Sequence, residues 1–577
     1  MIASLILEFD ARKGKVMTQL TAAQAAAGAR RWWALGALAL SVLVVGLDVF
    51  VLTLAIPTLS VDLHSSASDA QWFLDAYSLV LAAALLPAGL LGDRYGRKKL
   101  LLWALVLFGL ASLACAYSAS SGELIAARIA LGLAAAVIMP LSLAVVPVMF
   151  TPEERPRAIA TVGGATFLGF PLGPILGGWL LDHYWWGSVF LINVPIVIIA
   201  LVAVVWLMPE SRSFRKPRID IIGTLLSSAG LTALTYGFIE AGTDGWGSAT
   251  TVGTIVAGVV LTGTFVSWER YLTRRGGQPL IDLALFRSGG FTWGTTLATM
   301  ISFALFGIFF VIPQYYLDVR GLNSLGSGER MLSLIGGLIV GLGVGQRLQT
   351  VRKGPDGQVT GQLVSAKIIG AAGFAIMAAA MVLGAGTTPT SATGFMLTWF
   401  ALTGLGLGLA MPTMLNAALG ALTPERSGSG SALLTAMRQV GATVGVAVLG
   451  TVIATVYQSR LHLAGLPAGV TRAVRSSVAG GVAVAHQLPA PLSATLLGSV
   501  RHAYTSGLDV MLWICAGIAI TAAVLAALFI PANATAGPAS VSAAAAGATT
   551  AEDSAAAGLA ANPASVAGIG GEAAEAQ

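Results

Sequence analysis

Apolar runs of about twenty residues recur along this chain from Trp33 to Ile530, parted by short links rich in charge, glycine, proline or serine. Wound as an α-helix, one such run spans the hydrocarbon core of a bilayer. In lipid every backbone N–H and C=O must find its partner inside the protein, which leaves helices or a closed barrel. A barrel requires short strands of alternating polarity, and these runs do not alternate. Only 10% of the residues are charged and 56% are hydrophobic, against roughly 25% charged in a soluble domain. The expected class is an all-α integral membrane protein with multi-pass topology in the cell membrane.

The pattern predicts fourteen helices, near 33–57, 71–91, 100–119, 122–147, 157–181, 187–207, 219–240, 250–268, 291–316, 329–348, 363–384, 391–415, 428–457 and 505–530. The tenth, "MLSLIGGLIVGLGVG", is short and glycine-rich. With both termini cytoplasmic, 24 of the 32 Lys and Arg fall in inner segments, 6 in outer ones, and Arg128 and Arg438 within helices. That bias sets the orientation. It also accounts for the net charge of +6 without nucleic acid as a partner. Residues 1–32 form an inner tail, whose start "MIASLILEFDARKGK" has too short an apolar core for a signal peptide. Residues 458–504 are expected as a long outer loop with short amphipathic stretches lying on the membrane face. Residues 531–577, rich in Ala, Gly, Ser and Thr, are expected to be a disordered tail. Cys115 and Cys515 both sit in apolar runs, so neither a disulfide framework nor a metal site is expected, and no cofactor is.

Ionisable residues inside such helices mark function, because a charge at mid-bilayer costs about 2.5–3.5 kcal/mol. Asp48 is the deepest, in "VGLDVFVLTLAIP", with Leu, Val, Ala and Phe around it on every helical face. Asp75 lies in the outer part of the second helix, Arg128 in the fourth and Arg438 in the thirteenth. Glu240, Asp318 and Asp509 sit nearer helix ends, where water solvates them. All five histidines (His64, His183, His462, His486 and His502) fall in predicted outer loops. A proton crossing the bundle must therefore ride on a carboxylate, and Asp48 is best placed. Arg128 is a candidate counter-ion that pairs with it in one state and is displaced in another. A lipophilic cation suits the same region: its charge would meet Asp48 or Asp75, and Trp72, Phe73, Tyr77 and Phe50 would offer cation–π contacts. No G-x-x-x-x-G-K-[ST] loop for a nucleotide phosphate is present.

Between the second and third helices stands "GLLGDRYGRKKLLL", residues 89–102. It resembles motif A of the major facilitator superfamily, G-x-L-A-D-R-x-G-R-K-x-L. Gly89, Leu91, Asp93, Arg94, Gly96, Arg97, Lys98 and Leu100 match, and Gly92 replaces the usual Ala. Positive-inside topology explains Arg97, Lys98 and Lys99 but not Asp93 or the glycines. Gly89 and Gly96 allow a tight turn against a neighbouring helix. Asp93 can pair with an arginine or face a helix N-terminus and so hold the inner gate shut. "LIAARIALGLAAA" (124–136) looks like motif B, with Arg128 and Gly132 in place and Leu131 for the usual Gln. "GFPLGPILGG" (169–178) resembles motif C, the antiporter signature, in Gly169, Gly173, Pro174, Gly177 and Gly178. Gly169, Gly173 and Gly177, four apart, line one helix face for close packing, and Pro171 and Pro174 kink the helix.

"LDVFVLTLAIP", "QWFLDAYSLVLA", "FLINVPI" and "PLIDLALFRSGGF" are similar to the fourteen-helix drug:proton antiporters, most of all to quaternary-ammonium and multidrug exporters. In the first of these stretches Phe50 and Thr53 replace the usual Thr and Asn. Residues 317–365 lack a clear second motif A, and no acid stands in the apolar run of the tenth helix. The resemblance implies a major facilitator fold: six-helix bundles over 33–207 and 291–530, with an inserted helix pair over 219–268. It also implies a secondary transporter rather than an enzyme, exchanging protons for lipophilic cationic drugs and conferring resistance. A narrow exporter of one natural product remains an alternative. A proton-driven uptake symporter is a further one, which motif C argues against.

Overall fold

The structure, a computed structural model, describes residues 30–530 except 53–54, 57, 60–61, 66, 152–153, 212–219, 244, 350, 354–358, 363, 423–426, 464–470, 472–473 and 476. Fourteen long helices run through the described residues. The first six are α1 (Arg30–Leu52), α2 (Ala67–Tyr95), α3 (Arg97–Ala116), α4 (Ser121–Ala144), α5 (Arg155–His183) and α6 (Asn193–Leu207). Then come α7 (Ile221–Thr243) and α8 (Ala249–Arg274). The last six are α9 (Gly289–Gln314), α10 (Ser324–Leu348), α11 (Ala366–Ala385), α12 (Thr393–Gly420), α13 (Ser427–Arg460) and α14 (Ala490–Phe529). Thirteen are long and apolar enough to cross a membrane. The other, α5, has 29 residues, which at about 1.5 Å each is also membrane length. The glycine-rich tenth helix forms over 25 residues and starts at Ser324, so that it takes in Glu329, an acid in its first two turns ahead of the apolar run. The tails at 1–29 and 531–577, and with them the expected disorder, lie outside the described residues.

Small residues decide which helices touch. Within the first half α4 packs on α2 and α3, and α3 on α6. Within the second, α12 packs on α10 and α11, α13 on α9, and α14 on α11 and α13. The glycines at these crossings have backbone against them. A Cβ on Gly132 of α4 would lie 2.5 Å from the Tyr77 carbonyl oxygen of α2. Such close approach of backbones is how membrane helices gain packing energy without a hydrophobic driving force.

The halves meet along two seams, α2 and α4 on α13, and α5 on α10 and α12. They touch at both ends of the second seam. Gly163 of α5 faces Leu415 at one end, and Gly328 of α10 faces Ile175 near the other. The α7–α8 hairpin lies against α2 on one side and α13 on the other. The Ser228 hydroxyl donates to the Ala83 carbonyl of α2 at 2.7 Å, and the Trp246 indole donates to Thr451 of α13 at 3.1 Å.

Two segments differ from expectation. Residues 351–353 and 359–362 form a short antiparallel hairpin between α10 and α11. The stretch expected as an outer loop to residue 504 turns helical at Ala490, and a short helix, Val478–His486, precedes it. The reason is a buried stripe of Leu496, Val500, Ala503 and Tyr504, spaced as one helix face. It extends α14 beyond its apolar run, with Arg501 and His502 in the polar part. Tyr504 fastens the extension by donating to the Val311 carbonyl at 2.8 Å. His502 therefore stands in a helix and not in a loop, and His183 and His486 are the last residues of helices.

Candidate functional site

Asp48 lies in the last two turns of α1, 2% exposed, inside the first half. Arg128 of α4, 1% exposed, places Nη1 2.5 Å from its Oδ2. The Arg128 Nε donates to the Phe73 carbonyl of α2 at 2.8 Å, and the guanidinium lies 4.5 Å over the Tyr77 ring. The other carboxylate oxygen accepts from Asn193 Nδ2 of α6 at 3.1 Å, and that amide also reaches Ser112 Oγ of α3 at 3.4 Å. Five helices thus converge on one buried ion pair. Removing one partner of such a pair typically costs 3–5 kcal/mol, because it strands the other charge. The Tyr77 hydroxyl and the Asn193 carbonyl oxygen are buried without a hydrogen-bond partner. The cluster therefore holds unused polar capacity beside the acid.

Asn193 and Ser112 were not singled out as site residues. Asn193 lies in "FLINVPI", which carried a resemblance but no role. An amide inside the apolar run at 187–207 was the available signal.

Motif C borders the same place. A Cβ on Gly169 of α5 would stand 2.6–2.8 Å from the Gly46–Leu47 backbone of α1, and one on Gly173 would stand 2.7 Å from the Phe50 Cβ. These two glycines let α5 lie against α1 on either side of the Asp48 turn. Gly177 and Gly178 are buried further along α5, and the side chains of Pro171 and Pro174 lie outside the described residues. We expect Gly169→Leu to part α1 from α5 and destabilise the fold by about 1–3 kcal/mol, the usual range for overpacking. Detergent-solubilised protein should then lose several degrees of thermal stability, while Gly36→Leu, with open space around it, should not.

The side chains proposed for substrate besides Asp48 do not share one site, and Phe73 is wholly buried. Tyr77 lies under Arg128 and is 3% exposed. Phe50 points across to the second half, with its ring 6.2 Å from that of Phe309 on α9. Trp72 and Asp75 occupy the opposite face of α2, toward α7. Trp72 stacks on Tyr236 at 6.5 Å, and Asp75 is hydrogen-bonded by Gln71 and lies within electrostatic reach of Glu240. Two carboxylates and two aromatic rings therefore meet at the α2–α7 interface. In the second half, Arg438 of α13 is 8% exposed and its Nε donates to Ser302 of α9 at 3.4 Å.

Motif A forms a second buried cluster. Asp93, 3% exposed, accepts from Arg97 Nη2 at 2.7 Å and from Nε at 3.2 Å. Its Oδ2 also accepts from the backbone N–H of Ser429 at 3.0 Å, in the first turn of α13. Free amides and a positive dipole end favour a carboxylate at that position. Gly89 and Gly428 allow the approach. A Cβ on Gly89 would meet Ala432, and one on Gly428 would meet the Asp93 carboxylate. Gly96, at φ +107°, makes the turn between α2 and α3, a conformation glycine alone adopts without strain. Glu210, after α6, accepts from the backbone N–H groups of Lys98 and Lys99 at 3.2 Å each, capping α3. Arg94 is half-buried, 5.5 Å from the Tyr95 ring.

A fourteen-helix chain in two bundles, with an acid on a helix end between the halves, has the architecture of a secondary membrane transporter. The Major Facilitator Superfamily pattern matches residues 38–446, and the chain belongs to that family. Three relatives align over most of their length. The tetracenomycin C resistance and export protein of Streptomyces glaucescens is 32% identical over 508 residues, 86% of this chain and 91% of that one. The multidrug efflux pump LfrA of Mycolicibacterium smegmatis is 34% identical over 514 residues, 88% and 96%. The methyl viologen resistance protein SmvA of Salmonella typhimurium is 31% identical over 485 residues, 82% and 93%. Two of these relatives are named for export or efflux, and the third for resistance to methyl viologen. This chain is a multi-pass membrane protein of the same family.

Proposed function

We propose that this chain is a proton-coupled exporter of amphipathic cationic drugs. The observation that carries the reading is the buried Asp48–Arg128 pair. Asp48 is the carboxylate buried deepest in the first half, with a cation, an amide and a phenol around it. Protonation of Asp48 would free Arg128 and ask the five helices to rearrange, which is the differential interaction that coupling needs. The proton and the drug then compete for a carboxylate in alternate states, and rocking of the halves along their two seams carries one out as the other enters. One proton moving down 100 mV supplies roughly 2.3 kcal/mol when a neutral drug is exchanged for it, whereas one-for-one exchange with a monovalent cation moves no net charge and draws on the pH gradient, about 1.4 kcal/mol per pH unit.

The cationic preference rests on the α2–α7 cluster of Asp75, Glu240, Trp72 and Tyr236. Carboxylates and aromatic faces attract organic cations, and one relative confers resistance to methyl viologen, a dication. The test is transport in proteoliposomes with an imposed pH gradient. Uphill movement of an ethidium-type dye that stops when a protonophore collapses the gradient is the expected result. Dye movement indifferent to the gradient would overturn it. Asp75→Asn should weaken export of monovalent cations about tenfold, the worth of one partly screened charge contact. Dications should suffer more and neutral drugs be spared, in a susceptibility panel against wild type. Equal losses for all substrates would show that Asp75 does not choose by charge.

A narrower reading is an exporter of a single natural product, favoured by the likeness to the tetracenomycin C exporter. The same panel separates the two, because a narrow exporter protects against one compound.

A further inference from the structure

The foot of the α7–α8 hairpin holds a second buried acid arrangement, away from the Asp48 and Asp93 clusters. Glu269, in the last two turns of α8, is fully buried, and Asp220, just before α7, is 9% exposed. Three of their four oxygens are accounted for. Asp220 Oδ1 accepts from the Gly223 backbone N–H at 3.0 Å, and the Trp268 indole donates to Oδ1 at 3.2 Å and to Oδ2 at 3.0 Å. Glu269 Oε2 accepts from the Ile281 backbone N–H at 3.1 Å. The fourth, Glu269 Oε1, is buried without a partner at hydrogen-bond geometry and is aimed at Asp220, while the Leu280 backbone N–H also faces the Glu269 carboxyl. It and Asp220 Oδ2 both lie within 2.6 Å of the point that a Cβ on Gly223 would occupy, and the two side chains are within hydrogen-bonding reach. Two acceptors cannot bond each other without a hydrogen between them.

We propose that Asp220 and Glu269 form a one-proton site, in which a proton on Glu269 Oε1 is donated to Asp220 Oδ2. The occupied site ties three segments together: the start of α7 through Gly223, the end of α8 through Trp268, and the connector into α9 through Ile281. Gly223 is required because any side chain there would fill the space where the two carboxyls meet. A bound cation suits the place less well, since the other two oxygens already accept backbone N–H groups. Of the described charged groups nearby, Arg270, Arg274 and Arg275 are exposed, and Asp282, next to Ile281, is half-buried and accepts from the Ala284 backbone N–H at 2.9 Å. Release of the proton to water leaves two carboxylates facing each other, a like-charge contact that pushes the hairpin foot apart. The hairpin leans on α2 and α13, so this site reports the pH of one membrane face to the seam between the halves.

The test uses the whole protein in lipid, by infrared difference spectroscopy and thermal unfolding. Wild type minus Glu269→Gln should show a protonated carboxyl C=O band at neutral pH, lost as the pH is raised. Glu269→Gln keeps a donor toward Asp220. It should unfold at the wild-type temperature at neutral pH and hold that temperature into alkaline pH, where wild type falls by several degrees. Asp220→Asn should also flatten the alkaline fall. Absence of the C=O band, or an alkaline fall shared by wild type and Glu269→Gln, would overturn the shared proton. A stability that follows sodium or potassium instead of pH would overturn it in favour of a cation. None of these readings requires transport, so they stand or fall separately from the proposed coupling by Asp48.

Discussion

Asp48→Asn is expected to abolish proton-driven dye efflux while leaving some dye binding. The amide keeps the shape of the acid and still accepts a hydrogen bond, but it cannot carry a proton. It also removes the partner of Arg128, which is 1% exposed, so the single variant strands a buried cation at a cost of about 3–5 kcal/mol. A loss of efflux could then reflect a damaged fold. The decisive variant is therefore the double Asp48→Asn/Arg128→Gln, in which both charges are gone and the side chains still bond across the same space. It should recover thermal stability toward wild type and remain uncoupled. The measurement pairs ethidium-type dye efflux with substrate-induced proton release in matched vesicles. If the double variant exchanges protons for dye, Asp48 is a structural ion-pair partner and the coupling proton rides elsewhere.

The second large effect is expected at the α2–α13 seam. Asp93 accepts two hydrogen bonds from Arg97 and one from the Ser429 backbone across the halves. Asp93→Asn removes the charge and weakens those contacts. Hydrogen bonds to charged groups are worth about 1.5–3 kcal/mol each, so losing the inter-half one should shift the closed–open balance at this end by tenfold or more. Efflux at equal expression should fall to a tenth or less, with membrane insertion unchanged because the loop stays basic. Gly428→Val should do the same by another route, since its side chain would fall on the Asp93 carboxylate. Wild-type efflux in both variants would remove the seam from the transport cycle.

Much of this architecture was legible along the chain. Fourteen apolar runs became fourteen helices, because the length needed to cross a bilayer and the demand for internal hydrogen bonds act on each run by itself. Asp48, Arg128, Asp93 and Arg97 stood out by the same logic, since charge among apolar neighbours is costly wherever the helix packs. The extension of α14 to Ala490 was missed because its buried face is a stripe of four residues in a polar stretch, below the reach of a hydropathy run.

Partnership was the tertiary structure's decision. That Asp48 meets Arg128 and Asn193, that Asp93 finds the first turn of α13 some 336 positions away, and that Glu269 faces Asp220 all depend on how helices are rotated and slid against one another. Glycines such as Gly46, Gly169 and Gly428 set that register by letting particular backbones touch. Trp72 and Asp75 show the consequence most plainly. They lie within five residues of Tyr77, yet the helical twist turns them toward α7 while Tyr77 turns toward Arg128. A sequence specifies which side chains share a helix face; only the packing of that face decides what they meet.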